Sequence, residues 1–143
     1  MIVSKILKDK GRQVFTVTKE TTVSQIASIL AQKRIGAIVV IDQNGIVDGI
    51  ISERDIVRGL AQFGVSVLEK PALDLMTRNV ITRGLNADID ELMQEMTISR
   101  IRHLPIIDEG KLVGVISIGD VVKNRVEELE REGNMLRDYI SRG

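Results

Sequence analysis

Apolar residues recur along this chain at two spacings, and the order of those spacings is itself repeated. Ile2, Val3, Ile6 and Leu7 fit one face of a short helix over Met1 to Gly11, with Gly11 ending it. Val14 to Thr18 then alternates as a strand. From Thr22 the spacing returns to that of a helix, with Val23, Ile26, Ala27 and Leu30 on one face. Thr22 and Gln25 form the pattern of a capping box, hydroxyl to amide and side chain back again. Ile35 to Ile41 is an unbroken apolar run of strand length, so it predicts a strand buried on both faces. Asp42-Gln43-Asn44-Gly45 predicts a hairpin turn, Val47 to Ile51 the returning strand, and Ser52 the cap of a helix carrying Ile56, Val57 and Leu60.

The whole pattern occurs twice. VFTVTKETTVSQIASILAQKRIGAIVVID (Val14 to Asp42) aligns without a gap on VITRGLNADIDELMQEMTISRIRHLPIID (Val80 to Asp108), at a constant offset of 66 residues. GIISERDIVRG (Gly49 to Gly59) matches GVISIGDVVKN (Gly114 to Asn124) at an offset of 65, the second turn being one residue shorter. Asp88 and Glu91 repeat the capping device, and Ile89, Leu92, Met93 and Met96 the apolar face. Ile106 to Asp108, Glu109-Gly110, Leu112 to Ile116 and a helix from Ser117 complete a second β-α-β-β-α unit. A unit of this size struggles to bury enough apolar surface alone, whereas two packed face to face share a core and leave clefts between them. The expected fold class is therefore α+β, with α/β-type repeats related by a pseudo-two-fold axis. The expected divisions are 12–62 for the first repeat, 63–77 for a linker, 78–128 for the second repeat and 129–143 for a C-terminal helical extension. Along that helix Val122, Val126, Leu129, Leu136 and Ile140 follow alternating steps of four and three, with Gly133 at the remaining position. This is a coiled-coil-like seam, and it predicts self-association.

Composition narrows the chemistry. Lys plus Arg and Asp plus Glu each number 20, so no basic field exists for nucleic acid and no general pull toward an anionic membrane. There is no Cys and one His, which excludes thiolate chemistry and a multi-histidine metal site. No apolar run approaches the roughly 20 residues that span a bilayer. The N-terminal stretch is short and charged for a secretory signal, so a cytoplasmic protein is expected.

The repeat order, the motif G-apolar-apolar-S-x-x-D in GIISERD and GVISIGD, and the RHLPII run together resemble a tandem pair of cystathionine β-synthase (CBS) domains, a free-standing Bateman module. The resemblance covers about Val14 to Val126. It implies adenosine-nucleotide binding in clefts between the repeats, with AMP, ADP, ATP, NAD or S-adenosylmethionine as ligand, and a flat dimer that regulates something else. It implies no catalytic cofactor and no enzymatic activity.

Asp55 and Asp120 stand three residues after Ser52 and Ser117. A carboxylate in a first helical turn can accept from both ribose hydroxyls, and the serine hydroxyl and free amides can meet a phosphate. By resemblance these four residues match the family's ribose and phosphate positions. S-x-x-D is equally a capping box. Arg102 and His103, ahead of the second central strand, match the family's basic phosphate contacts; Arg100 is a further cation. The first repeat has Gly36 and Ala37 there instead, and carries Arg54 where the second has Gly119, so the two clefts are not equivalent. Backbone near Thr16 and Thr82 matches the family's adenine-edge contacts, with Ile38, Leu104 and Pro105 as apolar walls or plain core. Pro105 lacks an amide, so its strand should be an edge or begin there. The alternative to a nucleotide sensor is a ligand-free interaction module that recruits a partner enzyme.

Overall fold

The computed structural model describes residues 1–11 and 13–142. Arg12, where the first repeat is expected to begin, and Gly143, the end of the expected extension, lie outside them. In order the elements are α1 (Val3–Lys10), β1 (Thr16–Val17), α2 (Val23–Lys33), β2 (Ala37–Ile41), β3 (Val47–Ser52), α3 (Glu53–Phe63), a 3-10 helix (Gly64–Glu69), α4 (Ala72–Leu75), α5 (Ile89–Ser99), β4 (His103–Asp108), β5 (Lys111–Ser117) and α6 (Ile118–Arg142).

In the first repeat β1 runs parallel to β2, and β2 antiparallel to β3, in the order β1-β2-β3. The turn closes as expected: Gly45 takes φ 78°, where a side chain would be strained. The Asp42 carboxylate accepts from the amides of Asn44 and Ile46. Ala37 to Val40 are buried in succession, as a strand covered on both faces requires. The second repeat pairs β4 with β5, again antiparallel.

The expected opening strand of that repeat is reduced to one parallel bridge, Arg83 to Ile106. Arg83 donates its amide to the Pro105 carbonyl, and Ile107 donates to Arg83. The next rung toward Ile81 would require the amide that Pro105 lacks, so the ladder stops. A second correction concerns the cap of α5. Thr22 and Gln25 form the full reciprocal box on α2. Asp88 instead accepts from the Asp90 amide, without the returning bond from Glu91. Two facing carboxylates repel where a hydroxyl and a carboxamide attract.

Each core borrows a segment from outside its repeat. Val3, Ile6 and Leu7 of α1 are buried with Ile89, Leu92, Met96, Leu104, Ile106 and Ile116 of the second repeat. Ala72 of α4 joins Val23, Ile26, Ile38, Val40 and Ile51 of the first. The exchange is symmetric. Ile2 bridges Asp88 as Pro71 bridges Thr22. The Leu7 side chain covers Gly114 as that of Met76 covers Gly49, each so closely that a Cβ there would lie under 3 Å from it. Residues 63–77 thus hold the 3-10 helix and α4 and serve the first repeat as α1 serves the second. The long α6 passes through Gly133 unbroken, with Val121 its one buried residue.

Candidate functional site

The two S-x-x-D motifs fold identically. Ser52 accepts from the Asp55 amide through Oγ, while Asp55 Oδ2 takes the Ser52 amide at 2.8 Å and its hydroxyl at 3.1 Å. Ser117 and Asp120 repeat this at 2.9 Å and 2.9 Å. Capping therefore uses both roles of each serine hydroxyl and one oxygen of each carboxylate. The Glu53 amide is bound to the Gly36 carbonyl, as that of Ile118 is to Arg102. The helix start accordingly has few donors left for a phosphate, and anion binding falls to cationic side chains.

Those side chains converge on one cavity between the repeats. It is lined by Ser52, Glu53, Arg54, Asp55 and Arg58 at the start of α3, by Gly36, Ala37, Ile50 and Thr77, and by Arg100, Ile101, Arg102 and His103 from the other repeat. Sequence reasoning named eight of these residues: Ser52, Arg54, Asp55, Gly36, Ala37, Arg100, Arg102 and His103. It missed Arg58, three residues beyond Asp55 and 3.8 Å from its carboxylate, and Glu53. The i,i+3 spacing of Arg58 was the available signal. Four arginines and two acidic residues line the cavity, so it carries a net positive charge. Asp55 keeps Oδ1 outside the capping bonds, and its side chain is mostly buried.

Arg100 reaches this cavity from an unusual backbone. It ends α5 at φ 54°, and Arg34 ends α2 at φ 55°. The left-handed region costs an ordinary L-residue about 1 kcal/mol or more relative to glycine, the residue helices commonly place there. Arginine stands at both helix ends all the same, as Glu109 does in its turn at φ 50°, and Arg100 lines this cavity.

A second cavity lies behind the first, lined by Lys10, Gln13, Phe15, Arg34, Val115 and Ser117 among others. Gly36, Ala37 and His103 line both cavities. His103 is the first residue of β4, paired with Ser117, rather than ahead of the strand. Its ring lies against Gly36, where an added Cβ would be 3.2 Å from Cε1. Burial pushes the imidazole below its ordinary 6.5, and the Lys10 ammonium pushes the same way against Glu53 and Asp120.

Asp120 differs from Asp55 through Lys10, which donates to its Oδ2 at 2.6 Å and to the Val115 carbonyl at 2.8 Å. Burial alone would raise the Asp120 carboxyl; the Lys10 and Ser117 bonds outweigh it and hold the carboxyl below the usual range. Ile38 and Leu104 lie sealed in the two cores and line neither cavity. Pro105 is buried within β4. Thr16 faces a separate hollow with Val14, Ile41 and Lys111. The Thr82 carbonyl accepts from the Arg83 guanidinium.

The family profile described as "CBS domain" matches residues 4–62 and 72–127. The chain belongs to the CBS domain family. Its two matched stretches begin within α1 and at α4, the segments the cores exchange. The CBS domain-containing protein CBSX3, mitochondrial, of Arabidopsis thaliana is 34% identical over 99% of this chain and 72% of its own length. A CBS-domain protein from Agrobacterium tumefaciens superposes with a TM-score of 0.85 at 42% identity, over 87% of this chain and 99% of its own. Two related CBS structures hold ligands. A CBS domain protein from Pyrobaculum aerophilum is complexed with AMP (28% identity, TM-score 0.75, 84% and 89% covered). The CBS domain pair of protein MJ0100 is in complex with 5-methylthioadenosine and S-adenosyl-L-methionine (26%, 0.80, 90% and 98%).

Proposed function

We propose that this CBS domain pair is a cytoplasmic sensor that binds an anionic adenine nucleotide in the cavity between its repeats. AMP, ADP, ATP or NAD is the ligand class, and no catalytic cofactor takes part. The observation that carries this reading is the convergence of Arg54, Arg58, Arg100 and Arg102 with Asp55 on one cavity drawn from both repeats. Guanidinium forks suit phosphate oxygens, and Asp55 Oδ1 suits a ribose diol. The AMP-bound relative supports it. S-adenosylmethionine, a sulfonium cation, suits an electropositive cavity less well than AMP or ATP. Asp55 is the carboxylate we assign to the ribose, because it lines the arginine cavity.

Occupancy would act by population shift: a ligand preferred by one interrepeat packing biases a homodimer toward it and so regulates a partner enzyme. The second reading, a ligand-free interaction module, draws on the exposed apolar face of α6. Calorimetric titration with AMP, ATP, NAD and S-adenosylmethionine separates them. Arg100→Gly is the decisive variant. It relieves a left-handed backbone, so thermal stability should hold or rise, while affinity for AMP or ATP should fall about tenfold, near 1.4 kcal/mol. No heat with any of the four ligands, or affinity indifferent to Arg100, would reject the sensor reading.

A further inference from the structure

Among the described residues, none buries the seam on α6. Val122, Val126, Leu129, Leu136 and Ile140 are each about half exposed or more. The reason is directional. The polar flank of α6 (Asn124, Glu127, Glu130, Arg131 and Asn134) faces α1 across a groove bounded by Met1, Lys5 and Asp9. The apolar stripe therefore looks away from the domain.

The charges beside the stripe say what fits it. With Val126, Gly133 and Ile140 at heptad position a, and Val122, Leu129 and Leu136 at d, the e positions hold Lys123, Glu130 and Arg137. The g positions hold Arg125, Glu132 and Tyr139. Two parallel copies in register place Glu132 beside Arg137 of the other copy, and Arg125, which pairs with Glu128 of its own helix at 3.2 Å, beside Glu130 at the edge of the α1 groove. Both contacts are attractive, and symmetry makes each twice. Antiparallel copies overlapping over the whole seam place Glu130 beside Glu130, Glu132 beside Glu132, and Lys123 beside Arg137. All three are repulsive.

We propose that α6 pairs with α6 of a second copy of this chain, parallel and in register, along this seam. This deepens the homodimer of the reading above by fixing its orientation, and it does not depend on which nucleotide binds. In a parallel pair every seam residue meets its own counterpart, so the two ends of α6 emerge side by side.

The absence of native cysteine makes the test direct. In the full-length chain, Leu136→Cys should form an intermolecular disulfide under mild oxidation, because the two positions face each other within bridging distance. Met135→Cys, on the outer flank, should not. Charge exchange gives a second readout by sedimentation. Glu132→Arg should weaken dimerisation by roughly three- to tenfold, and adding Arg137→Glu should restore it. A monomeric wild-type chain, a dimer in which Leu136→Cys stays reduced, or a dimer untouched by Glu132→Arg overturns the proposal. Nucleotide titration of the same variants reports on the sensor reading separately.

Discussion

Replacing Lys10 by Met removes one ammonium and keeps the length of its stem, so it deletes the contact with Asp120 together with the bond to the Val115 carbonyl, and only the first of these depends on the charge of Asp120. The pair is short, at 2.6 Å, but only half sheltered: the Lys10 side chain is 38% exposed and that of Asp120 23%. Screening at that exposure limits the pair to the upper end of the surface range, about 1 kcal/mol. Asp120 is not orphaned by the change, because the Ser117 amide and hydroxyl still donate to it. For a chain of this length, about 1 kcal/mol corresponds to roughly 3 °C in melting temperature. The pH dependence fixes the assignment. The folded Asp120 carboxyl lies below its ordinary 3.8. Its contribution is therefore present above that value and lost as pH falls through the folded one. Melts of wild type and Lys10→Met by circular dichroism should differ by a few degrees at pH 7 and converge toward pH 3. Equal melting temperatures at pH 7, or a gap that persists undiminished at pH 3, would refute the reasoning.

Two further outcomes follow from other contacts. Gly49→Ala should cost about 3 kcal/mol and Gly114→Ala nearer 1, read from urea midpoints. A Cβ at Gly49 meets the Thr77 carbonyl at 2.8 Å, backbone held by its bridge to Ile50, whereas at Gly114 it meets only the flexible end of Leu7; the reverse order would contradict the exchanged packing. His103, lowered by burial and by Lys10, stays neutral in the fold at a pH where the unfolded chain takes up a proton. Wild-type stability should thus decline as pH falls below about 6.5, and His103→Gln should flatten that slope in thermal melts between pH 7 and 5.

Local chemistry was readable from sequence where neighbours decide it. The Thr22 cap, the buried Ala37–Val40 run and the Asp42–Gly45 turn each depend on residues within four positions of one another. The gathering of Arg54 with Arg100 and Arg102 was readable only because the repeat implies an interface between its halves. Lys10 was not readable: its partner lies 110 positions away, and no period links a helix of the first few residues to the last helix cap. The exchange of α1 and α4 was hidden for a related reason. α1 stands three residues further from its strand than α4 does from the Val80 segment, so the offset of 66 fails to align them. The bridge at Arg83 shows the opposite case, in which one imino acid overrides a pattern that the alternation of side chains supports.

Because α1 closes the far repeat and α4 the near one, neither half of this molecule owns a complete interior. A fragment ending before residue 63 would leave Val3, Ile6 and Leu7 with nothing to cover, and one beginning there would expose Ile89 and Leu92 to water. The halves must mature together. Any rotation of one against the other also has to carry the first ten residues along, which ties the chain's leading end mechanically to whatever moves the cleft.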